Sequence, residues 1–312
     1  MQALAWGMAV TLFGFEGVDV ATASQKSKLV LIAVRVHPFP SRTRKLSSLA
    51  PKILVWRRTG KIGNANIGNR TVNWLSCFFM KRRLYMDISL YYIEEGQGKP
   101  LILLHGNGED HTYFVHQIRY FSRMYRVIAI DTRGHGASPR GTAPFSIRQF
   151  AEDLLSFMDT HQLEQADILG FSDGGNIALT FALHYPERVD RLILNGANLD
   201  SSGVKSSVQV PIVLGYHMAS LFSRVSVRAR KNAELLRLMV EEPHIQLEKL
   251  RKLSHRTLVI AGTRDMIREE HTRQMVEFLP HGELAILPGD HFLAKKSSEA
   301  FNRRVEIFLS KD

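Results

Sequence analysis

The sequence predicts an α/β fold, a mostly parallel sheet with helices on both faces. Three features of the stretch from Met86 onward point there. Short apolar runs that read as strands alternate with runs of helical period. Several of those apolar runs are continuous rather than alternating, as in strands buried on both faces. Glycine- or Asp-bearing turns follow several of them, at the carboxyl edge where parallel sheets place ligands.

The elements follow in order. Ile88–Glu94 reads as a strand, ended by the turn Gly96-Gln97-Gly98. Leu101–Leu104 is a short buried strand, and Tyr113–Met124 carries a helical stripe. Arg126–Ile130 is the next strand. Ser146 followed by Gln149 is a capping-box pattern, and Ile147, Phe150, Ala151, Leu154, Leu155 and Met158 then share one helical face. Ala166–Leu169 predicts a strand and Asn176–His184 a helix. Arg191–Leu194, Thr257–Ala261 and Glu283–Leu287 complete the strands, and a helix over Ser297–Leu309 closes the chain.

Residues 199–254 break this rhythm. They are too long for a plain connection and helical in texture, with Pro211 and Pro243 as punctuation. The expectation is a small helical lid over the carboxyl edge. Its stripe of Val210, Ile212, Val213, Leu214, Met218, Leu221 and Phe222 reads first as lid packing, and second as the wall of an apolar acyl or alcohol pocket.

Residues 1–85 differ in kind. They carry 14 Lys and Arg against two acids, Glu16 and Asp19, whereas the remaining chain holds 27 against 28. The overall charge of +11 therefore belongs to this leader, and the rest carries no net electrostatic footprint for nucleic acid or an anionic membrane. The leader shows no sustained helical or strand period. It is expected to be a disordered basic arm or not native coding sequence, with Met80 and Met86 as alternative starts. A targeting peptide is the third reading, weakened because no Lys or Arg precedes the apolar run Ala3–Phe15.

Composition narrows the class. A chain with 45% hydrophobic and 23% charged residues is of globular type. No stretch reaches the roughly 18 uncharged apolar residues that span a bilayer as a helix. The single cysteine, Cys77, excludes an internal disulfide framework, and a cytoplasmic setting is the default. No Cys/His cluster has zinc spacing, and Gly134-His135-Gly136 lacks the third glycine of a dinucleotide fingerprint, so neither metal nor cofactor is expected.

The chemistry lies in four turns. Gly170-Phe171-Ser172-Asp173-Gly174 follows a strand and precedes a helix, the context of a nucleophile elbow. Small residues flank the serine because the turn is sharp. His105-Gly106-Asn107-Gly108 follows another strand, and the backbone N–H of Asn107 can pair with that of Asp173 as an oxyanion hole. His105 itself reads as a residue that shapes the turn. Asp265, just after the strand Thr257–Ala261, can orient an imidazole; Asp200 is the competing acid. His291 in Pro288-Gly289-Asp290-His291 lies after both Ser172 and the acid, the chain order this arrangement requires, and Asp290 reads as structural. Asp131-Thr132-Arg133-Gly134-His135-Gly136-Ala137-Ser138 reads as a buried hydrogen-bonded turn rather than as part of the site.

In this combination and order the motifs resemble those of small single-domain α/β-hydrolases, the group of carboxylesterases, cofactor-free perhydrolases and carbon–carbon bond hydrolases. The resemblance covers residues 86–312. It implies an eight-stranded-type sheet, a triad of Ser172, Asp265 and His291, and an oxyanion hole on Asn107 and Asp173. It further implies a serine hydrolase that cleaves an ester or related acyl bond of a small, apolar substrate through an acyl-enzyme. Acyl transfer, perhydrolysis or carbon–carbon cleavage by the same triad is the alternative. A binding protein that keeps the fold without turnover is the rival of another class. The oligomeric state is open. Serine at the elbow, where dehalogenases and epoxide hydrolases of this fold carry aspartate, argues against both.

Overall fold

The computed structural model describes residues 87–311, together with the backbone of three strands within residues 1–86. The chain divides into two compact units, residues 1–84 and 85–312. In the first unit β1 (Val18–Ala23), β2 (Leu29–Val36) and β3 (Ile53–Arg57) form an antiparallel sheet in the order β1-β2-β3. β2 and β3 contain the short apolar runs Leu29–Val34 and Ile53–Trp56. The expectations of disorder, of a non-native start and of a targeting peptide otherwise fall on residues outside those described.

The second unit is built on a seven-stranded sheet. Its strands are β4 (Tyr92–Glu95), β5 (Pro100–Leu104), β6 (Arg126–Ile130), β7 (Ala166–Phe171), β8 (Val189–Asn195), β9 (Arg256–Arg264) and β10 (Gly282–Asp290). They lie in the order β10-β9-β8-β7-β5-β6-β4, all parallel except β4, which runs antiparallel to β6 at one edge. The described residues thus hold one strand fewer than the eight-stranded pattern.

Two apolar layers sandwich this sheet because successive strand residues point to opposite faces. Ile102, Leu104, Ile128 and Ile168 join α2 (Ile147–Thr160), α3 (Asp173–His184) and α6 (Glu269–Phe278) in one core. Leu101, Leu103, Val127 and Leu169 join α1 (Val115–Phe121) and α8 (Ser298–Leu309) in the other, with α7 (Leu293–Lys296) beside them. Burying a Leu- or Ile-sized side chain contributes about 1.5–3 kcal/mol, so each face is held by many such increments. The predicted cap of α2 is half realised. The Gln149 N–H donates to the Ser146 hydroxyl, but the Gln149 side chain donates to Asp153 instead of turning back to the cap.

Between β8 and β9 the chain inserts α4 (Ser206–Phe222) and α5 (Val227–Glu241), packed against each other. The apolar stripe expected to pack here is divided by the helical period. Ile212 and Val213 are half-buried, while Val210, Leu214, Met218, Leu221 and Phe222 face solvent.

A buried ion cluster fastens the edge of the domain. Arg133, 1% exposed, sends Nε and Nη2 to the two oxygens of Asp153 at 2.7 and 2.6 Å. It also holds Asp87 from Nη1 and Nη2 at 3.0 and 2.7 Å, and its Nη1 donates to the Arg140 carbonyl. Asp87 in turn accepts the N–H groups of Thr142 and Ala143. The Arg133 hydrogen bond is the chief reason its carboxyl lies far below the usual carboxylate range, outweighing what burial adds.

Candidate active site

Five neighbouring strand ends, those of β5, β7, β8, β9 and β10, converge on one region of the carboxyl edge. Ser172 follows β7 and starts α3. Its φ of 52° and ψ of −120° place a non-glycine residue in a strained conformation, which a tight strand–helix turn enforces. The turn is crowded as well as sharp. A Cβ on Gly174 would stand 2.0 Å from the Leu104 carbonyl oxygen, so that position excludes every larger residue.

The pairing of β9 with β10 delivers the other two side chains. Arg264 is the register partner of Asp290, and Asp265 and His291 are the residues that come next on each strand. His291 Nδ1 lies 2.7 Å from Asp265 Oδ1, and His291 Nε2 lies 3.0 Å from Ser172 Oγ. These partners imply a tautomer in which Nδ1–H donates to the carboxylate and Nε2 accepts the serine proton. Beneath the ring Gly196 adopts a φ of 64°, and a Cβ there would meet His291 Cε1 at 2.6 Å. The imidazole therefore needs both the positive φ and the missing side chain.

Asp265 is built as a permanent acceptor. Burial alone would raise its carboxyl, but His291 and the N–H groups of Ile267 and Gly262 hydrogen-bond its oxygens and leave it below the usual range. Asp200, the competing acid, is engaged elsewhere: its Oδ1 caps a short 3₁₀ turn by accepting the Ser202 N–H at 2.7 Å. Asp290 likewise accepts the Phe292 N–H and pairs with Lys296.

The loop after β5 lies against the serine. A Cβ on Gly106 would stand 3.3 Å from Ser172 Cβ, which places Asn107 beside the elbow. Among the described residues no backbone carbonyl accepts the N–H of Asn107 or of Asp173, and the latter is the first residue of α3, where N–H groups point outward. His105 holds this loop from below. Its Nε2 accepts the Thr132 N–H and its Nδ1 lies 2.7 Å from the Gly106 carbonyl, and burial holds its pKa below the ordinary value. The Asp131–Ser138 turn is the hydrogen-bonded scaffold that its residue types suggest. Asp131 accepts the N–H groups of His111 and Ala137, and Ser138 donates to the Asp131 carbonyl. His135 stacks near Phe145 and stays outside the Ser172 group.

Two residues beside the site carry no motif. Tyr113 stacks on Phe171 at 4.2 Å, Phe171 lies 4.9 Å from the His291 ring, and the Tyr113 hydroxyl is buried with no partner among the described residues. Glu109, four residues upstream, also has a buried oxygen without a partner. Burial pushes its carboxyl up to about 7, against the pull of Lys295 and His291. The sign of the consequence is fixed by linkage. The unfolded group titrates near the ordinary glutamate value, so the folded state holds its proton longer, and this contribution to stability is lost as pH rises through about 7. Glu109→Gln should therefore lose less stability than wild type between pH 5 and pH 8 in urea unfolding. Equal losses in the two proteins would place the titration elsewhere.

A sequence profile described as alpha/beta hydrolase fold matches residues 99–218. The chain is 27% identical to the 3-oxoadipate enol-lactonase 2 of Acinetobacter baylyi, over 72% of this chain and 94% of that enzyme. It is 29% identical to a putative carbamate hydrolase of a Caulobacter species, over 68% of this chain and 91% of the relative. Among solved structures, a variant of the meta-cleavage product hydrolase of Pseudomonas fluorescens aligns with a TM-score of 0.59 at 26% identity, covering 71% of this chain and 94% of the other. Fold and relatives together define a hydrolase. The fold is that of the α/β-hydrolases, and the relatives are hydrolases of that superfamily.

Proposed function

We propose that the protein is a serine hydrolase that opens an ester or related acyl bond of a small, apolar substrate through an acyl-enzyme. The observation that carries this reading is the unbroken hydrogen-bonded line Ser172–His291–Asp265, set on a strained elbow. In the proposed reaction the Ser172 proton passes to His291 Nε2 as Oγ attacks the carbonyl carbon. Asp265 stabilises the resulting imidazolium. The developing oxyanion receives the backbone N–H groups of Asn107 and Asp173, preorganised donors that gain strength in a water-poor site. The tetrahedral species collapses, the leaving group takes the proton from His291, and a water activated by the same imidazole releases the acid.

The relatives bear on the bond cleaved. A lactonase and a putative carbamate hydrolase act on acyl–oxygen or acyl–nitrogen bonds, which favours the acyl reading for this chain. The similarity to a meta-cleavage product hydrolase supports a second reading, carbon–carbon cleavage next to a carbonyl by the same residues.

A chromogenic panel of esters, lactones and vinylogous diketones, run on wild type, Asp265→Asn and Asp200→Asn, tests both readings. Turnover is expected on short apolar esters or lactones. It should fall about 10⁴-fold in Asp265→Asn, because the amide favours the wrong imidazole tautomer. Asp200→Asn should keep wild-type turnover. Turnover confined to the diketones selects the second reading, and no turnover on any class overturns the first.

A further inference from the structure

Averaged over residues 86–312 the charges cancel, but the fold segregates them. Between Ser201 and Ala233 the sequence contains no Asp or Glu. Along α4, the residues Val210, Leu214, Met218, Leu221 and Phe222 recur at helical spacing and face solvent, with Leu221 71% exposed. α4 has no fully buried residue. This helix carries no Asp, Glu, Lys or Arg and has apolar residues on its half-buried side as well, so it leaves an apolar face toward solvent where a surface helix ordinarily presents charges. The turn beyond it continues the pattern with Val225, 83% exposed, and Val227.

Arg224, Arg228, Arg230 and Lys231 surround that apolar end, on the turn and the start of α5. All four are exposed, and none forms an ion pair among the described residues. A contiguous exposed apolar face marks a binding surface, and its rim of cations sets the sign of the partner.

We propose that the α4–α5 tip is a docking surface for an anionic lipid membrane, with the apolar face of α4 lying among the headgroups and upper acyl chains. Apolar side chains flanked by Lys and Arg are the composition of an interfacial helix. Anionic headgroups supply the charge that the four cations lack. A second copy of this chain fits worse, because a two-fold contact through this face sets its cations against the same cations. The proposal does not rest on the hydrolase reading: it concerns the outer face of the inserted helices.

The test uses the full chain, whose basic leader has its own attraction for anionic vesicles. The readout is therefore local. An environment-sensitive fluorophore is attached at Met218→Cys in a Cys77→Ser background. Phosphatidylglycerol-containing vesicles should shift its emission to the blue, lipid-borne quenchers should quench it, and pure phosphatidylcholine should give a much smaller shift. Leu221→Ser/Phe222→Ser and Arg228→Gln/Arg230→Gln/Lys231→Gln should each weaken the partition that produces this signal by about tenfold, and added salt should weaken it further in the protein with native cations. Vesicle binding with no spectral change at position 218 would overturn the proposal. So would a blue shift in buffer alone that grows with protein concentration, which would assign the face to a second copy.

Discussion

Ser172→Ala should lower turnover on the best ester substrate by about 10⁴- to 10⁶-fold while leaving the fold intact. The size of the effect follows from what the hydroxyl does in the proposed reaction. Oγ forms the bond to the acyl carbon, and no neighbouring group replaces it. His291 could still activate a water, but that water would have to find the attack trajectory unaided, without the orientation a bound nucleophile supplies. Oγ–H is also the group that occupies His291 Nε2 at 3.0 Å in the resting protein. Its loss leaves the Asp265–His291 pair in place. Stability should rise slightly or stay level, since Ser172 sits at φ 52° and the strain belongs to the backbone turn rather than to the hydroxyl. Mass spectrometry after treatment with a fluorophosphonate gives the complementary result. Wild type should gain one adduct at Ser172 and the variant none. Undiminished turnover in Ser172→Ala would remove the nucleophile assignment and with it the acyl-enzyme.

How much of this site the sequence reveals depends on how local each signal is. The elbow is local: two glycines, a serine, a strand before and a helix after lie within a few residues, and the close approach of Gly174 to Leu104 explains why the pattern is so restrictive. Asp265 is less legible. Its identity depends on β9 and β10 pairing so that Arg264 meets Asp290, and on Asp200 being engaged as a cap, neither of which is visible in one dimension. Gly196 is hidden for a similar reason, since its partner is a ring 95 positions further on. Tyr113 reads as one more apolar position on a helical stripe, and only its stack on Phe171 brings it to the site. The stripe on α4 shows the limit of periodicity. Spacing identifies the residues that share a face, but which way that face turns depends on what packs beneath it. Here α5 packs against the other side.

The second large effect concerns the fold itself. Arg133→Met should destabilise the domain by about 3–5 kcal/mol, a fall in Tm of about 10 °C. The guanidinium is almost wholly enclosed and serves two carboxylates at once, Asp153 and Asp87. Methionine fills much of the same volume, so the cost is less a cavity than a charge imbalance. Asp153, 3% exposed, would keep its burial and lose both hydrogen bonds from Arg133, retaining among the described residues the Gln149 amide. Two outcomes distinguish this account from simple loss of packing. First, Arg133→Met/Asp153→Leu should recover part of the lost stability, because removing the stranded carboxylate removes the main penalty. Second, the gap should depend on pH. In wild type the arginine depresses Asp87, so its contribution is present above the ordinary carboxylate range and lost as pH falls through the depressed folded value. Without the arginine that contribution disappears, so the gap between variant and wild type should narrow as pH falls below the ordinary carboxylate range. Unfolding curves in urea at pH 7 and pH 3 measure both effects. A gap that is equal at the two pH values, with no recovery in the double variant, would show that Arg133 acts through shape alone. The same residue sits in the turn whose Thr132 N–H supports His105 and, through it, the loop of Asn107. Arg133→Met should therefore also lower kcat/KM in the fraction that remains folded, by loosening the backbone that is proposed to receive the oxyanion.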